Sequence, residues 1–184
     1  YPPQAIVDFC HRVGITKKDN VIEMSALEHS VREKLDESSA RRMVVLRPLK
    51  VILTNFNESK DETLIAKNHP KRAELGERKI SFAKELYIER DDFMEDAPGK
   101  FFRLKPGGEV RLRYAYIIKC DEVIKNSDGE IIELHCSYDP DTRSGIGTSD
   151  KKVKGTIHWV SVKHSFSAEI RLYDRLFSEP DPGA

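Results

Sequence analysis

The chain has 184 residues, with 31 Lys+Arg against 31 Asp+Glu and a formal net charge of zero. That length suits one large domain or two small ones, and 34% charged with 39% apolar residues describes a globular chain with a lean core. No apolar run approaches the ~20 residues that span a bilayer and no signal-peptide pattern opens the chain, so no membrane partner is expected. The zero balance counts against a polybasic, histone-like protein but not against nucleic acid binding, because phosphates respond to local charge.

Residues 2–13 place Ala5, Ile6, Phe9, Cys10 and Val13 at three- and four-residue spacing, which predicts a helix stopped by Gly14. A second helix is predicted to start at Ser25 as N-cap, with Glu28 completing a capping box, and to end near Ser38-Ser39. Leu27, Val31 and Leu35 form its apolar stripe. From Met43 onward the period becomes that of strands, predicted at 43–46, 49–56, 79–82, 85–89, 109–120, 122–125, 130–138, 156–162 and 166–177. Pro48 signals a bulge or an edge, and Asn126-Ser127-Asp128-Gly129 a hairpin turn. Residues 57–76 read as a long polar crossing loop around His69-Pro70, and 139–154 as a mobile loop tip. Gly145-Ile146-Gly147 has neither a lysine at Walker spacing nor a following helical pattern. Short strands without intervening helices predict a mainly β, antiparallel barrel or sandwich fold after a short helical head.

Cys10, Cys120 and Cys136 are widely spaced without a CxxC, which reads as free thiols in a reducing cytosol. Cys120, His135 and Cys136 could meet across a hairpin, but no fourth metal ligand is evident. Charge is segregated. Residues 100–119 hold six bases against Glu109, net +5; residues 121–141 hold seven acids against Lys125, net −6; residues 143–154 hold four bases against Asp150, net +3. Alternation over 109–114 puts Arg111 and Arg113 on one strand face, among Phe101, Phe102, Tyr114 and Tyr116. Guanidinium forks beside aromatic rings suit unpaired bases. The same pattern also suits a solvated face ion-paired to the acidic block.

Several separated segments resemble one family in order: Arg111-Leu112-Arg113-Tyr114-Ala115-Tyr116, Gly155-Thr156-Ile157-His158-Trp159 and Glu169-Ile170-Arg171-Leu172-Tyr173, with Gly14–Asn20, residues 36–43 and Tyr138-Asp139-Pro140-Asp141-Thr142. They are similar to the anticodon-binding region of bacterial glutaminyl-tRNA synthetases and, more distantly, to archaeal- and eukaryotic-type glutamyl enzymes. The resemblance implies two antiparallel β-barrels that grip the anticodon loop of tRNA(Gln). Residues 1–39 would be a helical connector from the catalytic domain, 40–67 with 154–184 the proximal barrel, completed beyond Ala184, and 68–153 the distal barrel. Both chain ends would then be internal to the family's sequence.

Site residues carry over singly. Arg41 sits where the family contacts the central anticodon base, beside Pro70. Arg103 matches the arginine reading a guanine at the third position, and Arg111 the one meeting the first position through phosphate and base. Arg113 shares the Arg111 segment. Lys100 falls where members often have glutamine, Phe102 where they have lysine, Tyr114 asparagine and Ala40 proline. The HIGH and KMSKS signatures are absent from these residues, so no catalytic residue, metal or cofactor is expected here. The parent, a cytoplasmic monomer, would use ATP and Mg²⁺ elsewhere. The alternatives are a glutamyl-type region, a free-standing RNA-binding barrel, or a small hydrolase built on Asp139, Asp141 and His135.

Overall fold

The computed structural model describes residues 1–174 and residue 176. They divide into two compact units, Tyr1–Arg41 with the residues from Arg171 on, and Arg42–Ile170.

In the first unit α1 spans Pro3–Val13, with Pro3 in its first turn, and ends where Gly14 (φ +74°) donates to Cys10 O at 3.0 Å. Proline is tolerated there because the first amides have no helical partner, and glycine adopts positive φ without a Cβ penalty. The second helix, α2, spans Met24–Ser38 and starts one residue before the expected cap. The capping box does not form: Glu23 is the N-cap, and the Ser25 hydroxyl donates back to Glu23 Oε2 at 2.9 Å instead of accepting a helix amide. Arg12 of α1 pairs with Glu33 of α2 and holds that carboxyl below its usual range.

The second unit carries nine strands among the described residues: β1 Pro48–Leu53, β2 Glu62–Lys67, β3 Glu77–Phe82, β4 Glu85–Glu89, β5 Glu109–Leu112, β6 Ile117–Lys125, β7 Ile131–Asp139, β8 Thr156–Ile157 and β9 Val160–Ser161. Seven form one sheet that curls into a half-barrel, in the order β8-β5-β6-β7-β1-β4-β9, and β2 pairs with β3. The mainly β class expected from the sequence is present. Two ladders, β1 with β7 and β5 with β8, are parallel.

Six local expectations are corrected. Residues 43–46 form no strand, because the amides of Leu46 and Arg47 are taken by the Glu89 carboxylate rather than by a ladder. Pro48 opens an interior strand, at the first position, where a missing N–H is tolerated. The polar stretch 57–76 contains β2, whose inward face is only Leu64 and Ala66, too little to stand out among charges. The span 109–120 is two strands, turned at Arg113–Tyr116 by Tyr114 at φ +64°, with Ala115 N donating to Leu112 O at 2.9 Å. Residues 156–162 split into β8 and β9 on opposite sheet edges around Trp159. The strand expected at 166–177 is not formed at 166–174 or 176, and residues 175 and 177 lie outside the described residues.

Residues 139–154 are also held more firmly than a loop tip. Thr142, buried at the end of a 3-10 turn, accepts from Ile117 N at 2.9 Å, and Ser144 N donates to Ala115 O at 2.9 Å. The Asn126–Gly129 turn forms as expected, with Gly129 at φ +82°. The core centres on Phe82, whose ring meets Phe56, Tyr116 and Trp159 at 5.2–5.3 Å between centroids. Each such aromatic pair contributes about 0.5–1.5 kcal/mol beyond its buried area.

Candidate nucleic-acid interface

Arg103 and Arg113 are brought together by the fold. Arg103 follows a turn in which Phe101 N donates to Pro98 O at 2.9 Å, and Arg113 begins the β5–β6 turn. Both line a cleft of about 370 Å³ that also exposes Arg47, His158 and the acids Glu89, Asp91 and Asp92. Arg103 lies 3.2 Å from Asp92 Oδ1 and donates to Asp91 O at 3.2 Å, while Arg47 pairs with Asp91. Burial pushes the Asp92 carboxyl above its ordinary range, against the pull of Arg103 and His158. His158 Nε2 donates to Val44 O at 2.8 Å, and its Nδ1 is 4.0 Å from Asp92. The Arg113 side chain makes no hydrogen bond or ion pair among the described residues, although its backbone is tied to Ile157 O and to Trp159 Nε1. A cleft edged by three guanidinium groups, one of them uncommitted, can take a base edge together with a phosphate.

Arg111 points elsewhere. Its Nη1 donates to Thr142 O at 2.7 Å and reaches Ser144 Oγ at 3.4 Å, so the guanidinium braces the 142–144 turn. The expectation of Arg111 and Arg113 on one strand face fails because β5 ends at Leu112. Pro70 is exposed, and the preceding His69 is buried with Nδ1 accepting from the amides of Lys71 and Arg72, both at 3.1 Å. Lys100 is exposed in the turn before Phe101. Arg41 belongs to the first unit, where it pairs with the Asp36 carboxylate and donates to Asp36 O at 3.0 Å.

Sequence reading missed Arg47, Asp92 and His158, whose meeting depends on the β1–β4 and β5–β8 pairings. It also missed Arg42 and Arg78, which both donate to Asn68 Oδ1, at 3.1 and 3.3 Å. Burial, then the nearby Arg42 charge, lowers the Arg78 pKa. The ionic neutralisation of the basic block by the acidic hairpin is slight. Lys119–Asp121 at 3.7 Å is the one pair between them among the described residues, while Glu122 and Glu133 instead clasp His135 at 3.1 and 2.9 Å. His135 thus faces away from the core, whereas Cys120 and Cys136 are buried opposite one another as free thiols. No group of three or more His, Cys, Asp or Glu is placed to hold a metal among the described residues. Nor is any helix there long and apolar enough to cross a membrane.

Residues 39–139 match the family model described as the anticodon-binding domain of class I (E and Q) tRNA synthetases. The chain belongs to that family. A second model with the same description matches residues 156–184. The chain is 52% identical to a glutamine–tRNA ligase of Bradyrhizobium diazoefficiens over 183 residues, which is 100% of this chain and 33% of that protein. It is 49% identical over 176 residues to the glutamine–tRNA ligase of Clostridium perfringens, covering 96% of the chain and 32% of the relative. For the Cupriavidus taiwanensis glutamine–tRNA ligase the figures are 52% over 185 residues, 100% and 32%. The chain therefore spans about a third of the length of the curated relatives it matches. The description of the family as an anticodon-binding domain implies tRNA binding.

Proposed function

We propose that this chain reads the anticodon loop of tRNA(Gln) on behalf of a longer protein that joins glutamine to that tRNA. The observation that carries the reading is the 52% identity to a glutamine–tRNA ligase along the whole chain. Within the cleft, Arg103 supplies a fork suited to a guanine O6/N7 edge and Arg113 a cation open to a phosphate or base. Arg41, Pro70, Lys100 and Arg111 are the further contacts of this reading, Arg111 also acting through the turn it braces. Ligation, with its ATP and Mg²⁺, belongs to residues outside this chain, in a cytoplasmic monomer. In this reading residues 1–39 serve as connector, 40–67 with 154–184 as proximal barrel and 68–153 as distal barrel.

The test is a titration of the longer protein with anticodon stem-loops of tRNA(Gln), tRNA(Glu) and a scrambled loop. Tightest binding is expected for tRNA(Gln), weakening as salt rises in proportion to the phosphates neutralised. A preference for tRNA(Glu) would move the assignment to the glutamyl branch of the family. Equal affinity for all three loops would sink anticodon recognition.

A further inference from the structure

We infer that Phe102 is a stacking platform for an unpaired base of the bound RNA, a role that rests on the RNA reading above. Of the four aromatic residues in the basic block, packing withdraws three. Tyr116 is buried with its hydroxyl on the Glu62 carboxylate at 2.8 and 2.9 Å. Tyr114 is half-buried with its hydroxyl donating to Lys67 O at 3.4 Å, and Phe101 is half-buried. Phe102 stays 51% exposed.

A scattered exposed apolar residue carries no meaning by itself. This one is set apart by how it is held and by what surrounds it. The backbone is pinned on both sides: Phe101 N donates to Pro98 O at 2.9 Å and Leu104 N to Asp92 O at 3.0 Å. From the third side Gly155 presses so close that a Cβ there would lie 1.9 Å from Phe102 O. The Lys154 ammonium lies over the ring, 5.2 Å from its centroid, and so occupies one face, and the next residue, Arg103, turns into the acid–base cleft. A fixed backbone lowers the ordering cost of a contact, since little freedom is left to lose. A half-exposed ring with a cation over one face matches one nucleotide: the base takes the exposed part of the ring opposite Lys154, and the phosphate takes the charges. Stacking accepts any base, so Phe102 would add affinity for an unstacked loop while the arginines supply discrimination.

The experiment uses the longer protein and tRNA(Gln) transcripts. Phe102→Ala is expected to weaken equilibrium binding about tenfold and Phe102→Leu to match it, while Phe102→Tyr and Phe102→Trp stay within about twofold of the parent. In transcripts with single abasic sites along the anticodon loop, one site should lower parental affinity to the level of Phe102→Ala and leave that variant unaffected. The indole of Phe102→Trp should be quenched on tRNA addition, a reading independent of whether the alanine variant folds. Parental affinity in Phe102→Leu, an alanine effect that adds to every abasic site, or an unquenched indole would each overturn the platform. If the parent fails to bind tRNA at all, the anticodon reading itself falls, an outcome separate from these.

Discussion

Arg103 Nη1 lies 3.2 Å from Asp92 Oδ1 in an ion pair with one end in solvent and the other inside the protein, the side chains being 53% and 9% exposed. Asp92 is thus a buried anion whose charge Arg103 partly offsets, and the arginine keeps enough open surface to face a ligand. Arg103→Ala is expected to weaken tRNA binding by about 1–3 kcal/mol, the usual value of a bidentate base contact. The same change costs about 1–2 kcal/mol of stability at neutral pH, by leaving Asp92 without its partner. Burial has already raised the Asp92 pKa, and losing Arg103 raises it further. The stability deficit should therefore shrink as pH falls and the carboxyl protonates in both proteins. Denaturant melts across the acid range, run beside binding titrations, check both parts.

Arg111 and Arg113 separate affinity from stability. Arg111 donates to Thr142 O at 2.7 Å, so Arg111→Ala should lower the unfolding free energy by about 1–2 kcal/mol along with RNA affinity. The Arg113 guanidinium has no partner among the described residues, and Arg113→Ala should reduce affinity and its salt dependence while leaving the melting temperature unchanged. A stability loss in Arg113→Ala equal to that in Arg111→Ala would contradict the contacts described.

Gly155 is required for space and not for backbone freedom. A Cβ would meet Phe102 O at 1.9 Å and Val110 Cγ1 at 3.2 Å. Its own carbonyl accepts from Arg111 N at 2.9 Å, so relief by moving the strand breaks the β5–β8 pairing. Gly155→Ala is expected to cost about 2–4 kcal/mol, measurable by chemical denaturation.

His135 sets a pH dependence. Hydrogen bonding to Glu133 raises its pKa above 6.5; desolvation pulls the other way, and the bond to Glu122 adds to the rise. A histidine whose folded pKa is raised stabilises the fold fully below the unfolded value and loses that contribution as pH rises through the folded value. Thermal melts should therefore show the parent losing stability from pH 6.5 upward relative to His135→Gln. An identical slope in the two proteins would remove the clasp from the account.

Tyr116→Phe tests the buried hydroxyl on Glu62. The Tyr116 pKa is pushed up first by burial and then by that carboxylate, which also pairs with Arg143 at 2.9 Å. Deleting a hydrogen bond to a charged acceptor is expected to cost about 1.5–3 kcal/mol in a denaturant melt. A loss under a few tenths would show that Arg143 alone satisfies Glu62.

Local chemistry was legible from the residues alone where it is decided locally. The Gly14 stop, the Gly129 turn and the strands with full apolar alternation at 85–89 and 130–138 all follow from φ preference and period. So does the segregation of charge into a basic segment and an acidic hairpin, and the serial order of motifs was enough to recognise the family. The misses have more than one cause, and the first is a distant partner overruling a local signal. The Glu89 carboxylate takes the amides that a strand at 43–46 would need. Tyr114 at positive φ breaks an otherwise uniform apolar alternation, and Glu23 claims the hydroxyl expected to cap α2. Which arginine faces a cleft and which braces a turn was likewise a tertiary decision. Arg111 and Arg113 are two residues apart, yet the strand ends between them, and pairing with β6 and β8 sends one guanidinium to Thr142 and leaves the other in the cleft with Arg103.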